Sequence, residues 1–277
     1  MGSISAGVNA AIGAKVPVGV STLSMDDPSV PDFFHVMIYG PTNSYRTTTG
    51  AKFGGPKRTL IVSTRSPEQV RIPLGGQGYH AVFVNDADAL IWAMQCPEKA
   101  ADHAGFPEWK DQADRVLMLD DMTEGMALLV DDNSVRDNGT EVKDGRQIYG
   151  GAKQDVRAVI NSLKRKRIHI VYTALEGDSD TGIFPDMPVG SRKLLLADLE
   201  YVFYMKPDKK RMQTKRENVP YVVKDQFGKD QTKVRVLEAK CKIPDGAAGR
   251  TPPLISGEEP MDLGAVWTKI CSAKVKL

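Results

Sequence analysis

At 277 residues the chain has room for one large α/β domain, or for a domain of about 200 residues with arms and insertions. Hydrophobic residues make up 41% and charged residues 26%, and no apolar run approaches the roughly 18 residues of a membrane span, so the reading is a protein with no membrane partner. The net charge of +2 removes any global electrostatic argument for nucleic acid, and a basic footprint would have to be local.

Residues 1–31 are rich in Gly, Ala, Val and Ser, carry almost no charge before Asp26 and hold no helical or strand period. They read as an extended N-terminal arm without the basic, then apolar, order of a secretion signal. Cys96, Cys241 and Cys271 are widely spaced, with no C-x-x-C pair, which points to reduced thiols and a cytoplasmic protein.

From residue 33 the pattern changes. Short apolar, partly β-branched runs at 33–39, 59–63, 81–85, 116–120 and 168–173 predict strands buried on both faces. Helical segments are predicted between them at 86–95, 122–130 and 151–167, the last with Val156, Val159, Ile160 and Leu163 on one face. Alternating strand and helix predicts a three-layer α/β sandwich with a mostly parallel central sheet. Beyond residue 194, strands at 199–205, 221–223 and 233–237 joined by charged turns predict a C-terminal β-hairpin extension. The expected organisation is an arm at 1–31, a core at 32–245 and a tail at 246–277 with a short helix near 262–274.

The segment Val36-Met37-Ile38-Tyr39-Gly40-Pro41-Thr42-Asn43-Ser44-Tyr45-Arg46-Thr47-Thr48 carries the frame of a P-loop. In such a loop successive backbone N–H groups and a helix N-terminus cradle phosphate, a Lys neutralises it, and the next Ser or Thr binds magnesium. Here Tyr45 and Arg46 stand at the Gly and Lys positions. A planar guanidinium cannot take the place of a compact ammonium, and a ring at a position that requires positive φ costs energy. Gly40, Pro41, Ser44, Arg46, Thr47 and Thr48 are the candidate nucleotide-binding residues. An ordinary strand-to-helix turn is the competing reading.

Val116–Asp120 followed by Asp121-Met122-Thr123 has the form of a Walker B strand, in which a carboxylate reaches the magnesium hydration shell. Thr47, Asp120 and Asp121 are the candidate metal ligands, although Asp-Asp before a helix is also a plain N-cap. Thr173, at the end of the next buried strand, is the candidate γ-phosphate sensor by chain order. No base to orient water follows the strand at 59–63, where Thr64-Arg65-Ser66 stands instead, and Glu68 is a displaced candidate. The run Lys164-Arg165-Lys166-Arg167 reads as a helix C-terminus complementing the dipole. The segment 206–216 carries six basic residues and one acid, and Lys209, Lys210, Arg211, Lys215 and Arg216 are its candidate DNA contacts.

These segments, with Ala239-Lys240-Cys241-Lys242-Ile243-Pro244, make residues 33–245 resemble the phage RecA-like nucleotide-binding family that includes the smallest Sak-type single-strand annealing recombinases. The resemblance implies a RecA-type P-loop core, ATP and magnesium where the site is functional, and a role in phage recombination or replication. Asp121 replaces a Ser of the family's Asp-Ser-x-Thr, and Tyr45 and Arg46 break its Walker A. Two functions follow: an ATP- and magnesium-dependent DNA-recombination ATPase, or a noncatalytic relative serving as an assembly, virion or replication-complex component. The second expects a homo-oligomer or other phage proteins held through the arm, in the host cytoplasm or the virion.

Overall fold

The computed structural model describes residues 33–42, 44–135, 139–179, 182–199, 201–205, 222–224, 230–232, 237–239, 258–259 and 261–274. The arm at 1–31 and the basic segment 206–216 lie outside the described residues.

The chain runs β1 (His35–Gly40), α1 (Arg46–Gly54), β2 (Thr59–Ser63), α2 (Pro67–Leu74), β3 (His80–Phe83), α3 (Ala87–Gln95) and α4 (Pro97–His103). A 3-10 turn at Pro107–Asp111 leads to β4 (Val116–Asp120), α5 (Met122–Asp132), α6 (Gly145–Lys164) and β5 (His169–Ser179). Then follow β6 (Gly182–Pro185), α7 (Val189–Asp198), β7 (Tyr201–Met205), β8 (Val222–Lys224), β9 (Asp230–Thr232), β10 (Leu237–Ala239), β11 (Glu258–Glu259) and α8 (Leu263–Lys274).

The main sheet has the order β11-β10-β7-β1-β5-β4-β2-β3, with β6 paired to β5 off that path. The strands from β7 to β3 are parallel, while β10 and β11 add antiparallel at one edge. Strand alternation sends successive residues to opposite faces. Met37, Tyr39, Leu60, Val62, Leu117, Leu119, Ile170 and Tyr172 join one buried cluster with residues of α3, α5, α6 and α7. Val36, Ile38, Ile61, Val116, Met118 and Val171 join a second cluster with Ala51 of α1, Val70 and Leu74 of α2, and Leu263, Val266 and Ile270 of α8. Two helical layers on one mostly parallel sheet make the three-layer α/β sandwich that the alternating pattern predicts. Burial of each such Val, Leu or Ile contributes roughly 1.5–3 kcal/mol, which explains why these strands read as unbroken apolar runs.

Local capping agrees with the sequence. Asp86 accepts from the Ala89 N–H at 2.7 Å, Asp121 from the Thr123 N–H at 2.8 Å and Asp144 from the Arg146 N–H at 2.9 Å, opening α3, α5 and α6. The last cap starts α6 six residues before the predicted 151, across two glycines. Gly151 is needed there, because a Cβ at this position would meet the Asn133 side chain at 1.8 Å where the end of α5 crosses.

Two expectations are extended. The strand at 199–205 pairs antiparallel with β10, as the predicted extension requires, but β7 also lies parallel to β1, with Val36 opposite Tyr201, and α7 supplies the crossover that parallel pairing requires. The strand predicted at 168–173 continues to Ser179 because β6 pairs antiparallel with its polar end, Glu176 opposite Pro185. The strand expected at 233–237 lies outside the described residues except for Leu237, which begins β10, while β8 and β9 pair in a separate antiparallel ladder. Lys164 pairs with Asp198 and Lys166 with Glu98, so the basic run at the end of α6 ties that helix to its neighbours.

At the amino edge of the sheet, Trp267 of α8 stacks near Phe34 and His169, with ring centroids 5.2 and 5.3 Å apart. His169 Nδ1 accepts the Phe34 N–H at 2.9 Å, and burial pushes its pKa down to about 4.

Candidate functional site

The site lies at the carboxyl edge of the sheet, where β1, β2, β4 and β5 end. β1 closes at Gly40, and the turn 41–45 leads into α1. A Cβ on Gly40 would sit 2.7 Å from Cβ of Met205, so glycine is what allows β7 to close against the start of the loop. Tyr45 immediately precedes α1 with φ 63° and ψ 23°, the left-handed region. The position therefore does require positive φ, as the sequence reading feared, and a Cβ-bearing residue costs about 1–2 kcal/mol there.

Arg46 opens α1, and a side chain in the first turn of a helix points back toward the N-terminus. Its guanidinium is only 4% exposed as a result. Nη1 donates to the carbonyl of Gly40, to that of Pro41 at 2.7 Å and to Ser44 Oγ at 3.2 Å. Nη2 lies 3.3 Å from Asp121 Oδ2. Arg46 thus fills the bend of its own loop and turns the carbonyls of that loop toward a cation. Burial lowers its pKa, against the opposing pull of Asp121.

Asp120 ends β4 and is 2% exposed. It accepts from Thr47 Oγ1 at 3.0 and 3.1 Å and from Thr173 Oγ1 at 2.6 Å. Burial raises its pKa, while the bond from Thr173 works the other way. Thr173 reaches this carboxylate because β5 lies between β1 and β4 in the sheet. The three residues singled out from separate motifs, Thr47, Asp120 and Thr173, therefore form one buried chain of hydrogen bonds.

Asp121, joined to Asp120 by a cis peptide bond, is 1% exposed. Oδ2 faces both Arg46 and Nη2 of Arg65 at 3.4 Å, and Oδ1 caps α5. Thr64 Oγ1 donates to the Asp121 carbonyl at 2.9 Å and accepts its N–H at 3.2 Å, locking the end of β2 to the start of α5. Glu124, in the first turn of α5, shares Thr64 as a hydrogen-bond partner, and burial followed by the charge of Asp121 raises its pKa.

A cleft of about 530 Å³ opens beside this network, a size that accommodates a small polyphosphate or nucleotide. It is lined by Thr42, Ser44, Tyr45, Arg46, Thr47 and Thr48 of the loop and α1, and by Arg65, Gln69, Ile72 and Pro73 from the end of β2 and α2. Glu68 is exposed on the first turn of α2, and among the described residues neither it nor any other carboxylate lines the cleft. In the sequence Arg65 shows only as the absence of an acid; no spacing signals its contact with Asp121, since the two are 56 residues apart.

Magnesium, which a P-loop implies, needs oxygen ligands free to turn toward it. Every oxygen of Asp121 that the fold leaves available faces a donor, Asp120 sits behind Thr47 and Thr173, and two guanidinium groups stand at the cleft. The two candidate carboxylates are thus committed to protein donors and do not fit direct ligation of a divalent cation, while Thr47 Oγ1, whose hydrogen goes to Asp120, keeps its lone pairs at the cleft. Among the described residues, no group of three His, Cys, Asp or Glu could hold a metal. His103, at the exposed end of α4, takes no part in the site, while Phe106 and Trp109 are buried packing residues.

No family model matches the chain, and no curated protein matches it. Among solved structures it is similar to a prototypical ATPase from the type III secretion system of pathogenic bacteria, with a TM-score of 0.43, 16% identity, and 65% of this chain covering 52% of that one. It is also similar to a KaiC-like protein from the hyperthermophilic archaeon Pyrococcus horikoshii OT3, with a TM-score of 0.40, 11% identity, and 75% of this chain covering 78% of that one. The chain thus spans about half the length of the secretion ATPase. Likenesses this loose carry no functional argument. The strand–loop–helix of β1 and α1, the aspartate closing β4 and the insertion of β5 between them are what make this a P-loop NTPase fold of RecA type.

Proposed function

We propose that this chain is a noncatalytic or weakly active RecA-like P-loop protein of phage type, which serves through its termini as an assembly, virion or replication-complex component. The observation that carries the reading is the buried Arg46 guanidinium, bound to the carbonyls of Gly40 and Pro41 and to Asp121 inside the loop. Phosphoryl transfer depends on stabilising charge at the transferred group and on a positioned water. Here the loop's cation is committed to protein acceptors, and Arg65 follows β2 where an acid would orient water. Slow or absent turnover follows from both. The phage context rests on the resemblance of the motif set, and contact with other phage proteins or further copies of the chain is assigned to residues 1–31.

The chain of Thr47, Asp120 and Thr173 favours a second reading, an ATP-dependent recombination ATPase with an arginine-substituted loop that meets DNA through Lys209, Lys210, Arg211, Lys215 and Arg216. Phosphate release from ATP and magnesium by the full chain, with Asp120→Asn as control, separates the two. Release no faster than buffer supports the first. Release that is saturable and lost in the control replaces it with the second.

A further inference from the structure

Among the described residues, the charged groups that line the cleft are both cations. Arg46 and Arg65 line it, while Asp120 and Asp121 do not. Arg65 is the less satisfied of the two: its Nη2 makes one long contact of 3.4 Å to Asp121 Oδ2 and its Nε is buried without a hydrogen-bond partner among the described residues, whereas Arg46 shares that oxygen at 3.3 Å and also donates from Nη1 to Gly40, Pro41 and Ser44. Arg46 is itself 4% exposed. Sharing one carboxylate between two arginines leaves one positive charge at the cleft uncompensated by that carboxylate. The first turn of α1 opens onto the same space, and a helix N-terminus adds partial positive charge there.

We infer that this cleft binds a polyphosphate without a divalent cation, with Arg65, rather than a loop lysine and magnesium, supplying the charge that meets the phosphates. Guanidinium groups suit this task because each presents paired donors to phosphate oxygens and remains charged at any working pH. A phosphate chain lying over the first turn of α1 takes one oxygen to Arg65, which relieves the sharing of Asp121, while Arg46 stays in the loop bend. A magnesium ion carried in with the phosphates would meet two cations and no lining carboxylate, so its presence gains nothing. The inference rests on the reading of the site as a phosphate cradle with little turnover, but it fails separately: turnover would sink that reading, and a magnesium requirement would sink this one.

The experiment is calorimetric titration of the full chain with inorganic tripolyphosphate and with ATP, each in excess EDTA and in excess magnesium. Expected are saturable binding in EDTA and a dissociation constant within about threefold in magnesium. Arg65→Ala is expected to weaken binding at least tenfold, with Arg65→Lys recovering part of it, since a charge-assisted contact of about 1.4 kcal/mol is worth that factor. Thermal melts of both variants distinguish loss of the ligand contact from loss of the fold: Arg65 has a side chain 20% exposed, and a variant that melts like the parent but no longer binds supports the inference. Binding seen only with magnesium, binding unchanged in Arg65→Ala, or no binding of either probe at millimolar concentration overturns it.

Discussion

Arg46→Ala tests whether the arginine is a structural plug or a solvated ligand group. The substitution removes donors to the Gly40 and Pro41 carbonyls, to Ser44 Oγ and to Asp121 Oδ2. Deleting one partner of a buried ion pair costs about 3–5 kcal/mol, mainly because the remaining charge stays buried. Arg65, 3.4 Å from the same oxygen, offsets part of that cost, which places the expected loss near the lower end, at about 3 kcal/mol. On the scaling for domains of 150–250 residues this lowers Tm by roughly 6–12 °C. Urea denaturation of the parent, Arg46→Ala, Asp121→Asn and the double variant gives the coupling directly, and at least about 1 kcal/mol is expected for groups in contact. A loss below about 1 kcal/mol with no coupling would show that water fills the loop bend as well as the guanidinium does, and the argument that Arg46 occupies the cradle would be wrong.

Tyr45→Gly relieves left-handed strain of about 1–2 kcal/mol but frees the unfolded chain by about 0.4–1 kcal/mol, so a net gain between zero and about 1.6 kcal/mol is expected in the same denaturation assay. A clear loss would mean that the ring packs usefully. Thr173→Val removes the 2.6 Å donor to Asp120 and should cost about 1–3 kcal/mol while raising the Asp120 pKa further, read by carboxyl NMR titration. An unchanged titration would refute the contact. His169 is held at about 4, below its unfolded value, so the unfolded chain binds the extra proton between about pH 6.5 and 4. Stability is then full above pH 6.5 and falls with acid, by on the order of 3 kcal/mol from this residue, with His35 contributing in the same direction. His169→Asn should flatten that profile, and an unaltered acid slope would refute the assignment. Gly54→Ala places a Cβ 2.5 Å from Thr59 Oγ1 and 2.6 Å from Val116 Cγ2, an overpacking expected to cost about 1–3 kcal/mol by thermal melt.

What the sequence by itself determined is local. Runs such as Thr59–Ser63 and Val116–Asp120 form strands with the predicted bounds, because burial on both faces demands apolar residues at successive positions. The caps at Asp86 and Asp121, and the loop frame from Gly40 to Thr47, were legible for the same reason: each is an interaction within a few residues. Tertiary structure decided the rest. Nothing local distinguishes β7 from a hairpin strand, since its parallel pairing with β1 depends on the crossover through α7. The sequence places the helix start at 151, and only the crossing of Asn133 explains a glycine at that position inside α6. At the site, the spacing identified Thr47, Asp120 and Thr173, but their meeting depends on β5 entering the sheet between β1 and β4. Likewise an arginine after β2 reads as a missing base until the fold brings it, across 56 residues, to the carboxylate that Arg46 already holds. Side-chain charge is written in the sequence, but which charges share a buried oxygen is set by the parallel register of strands far apart along the chain.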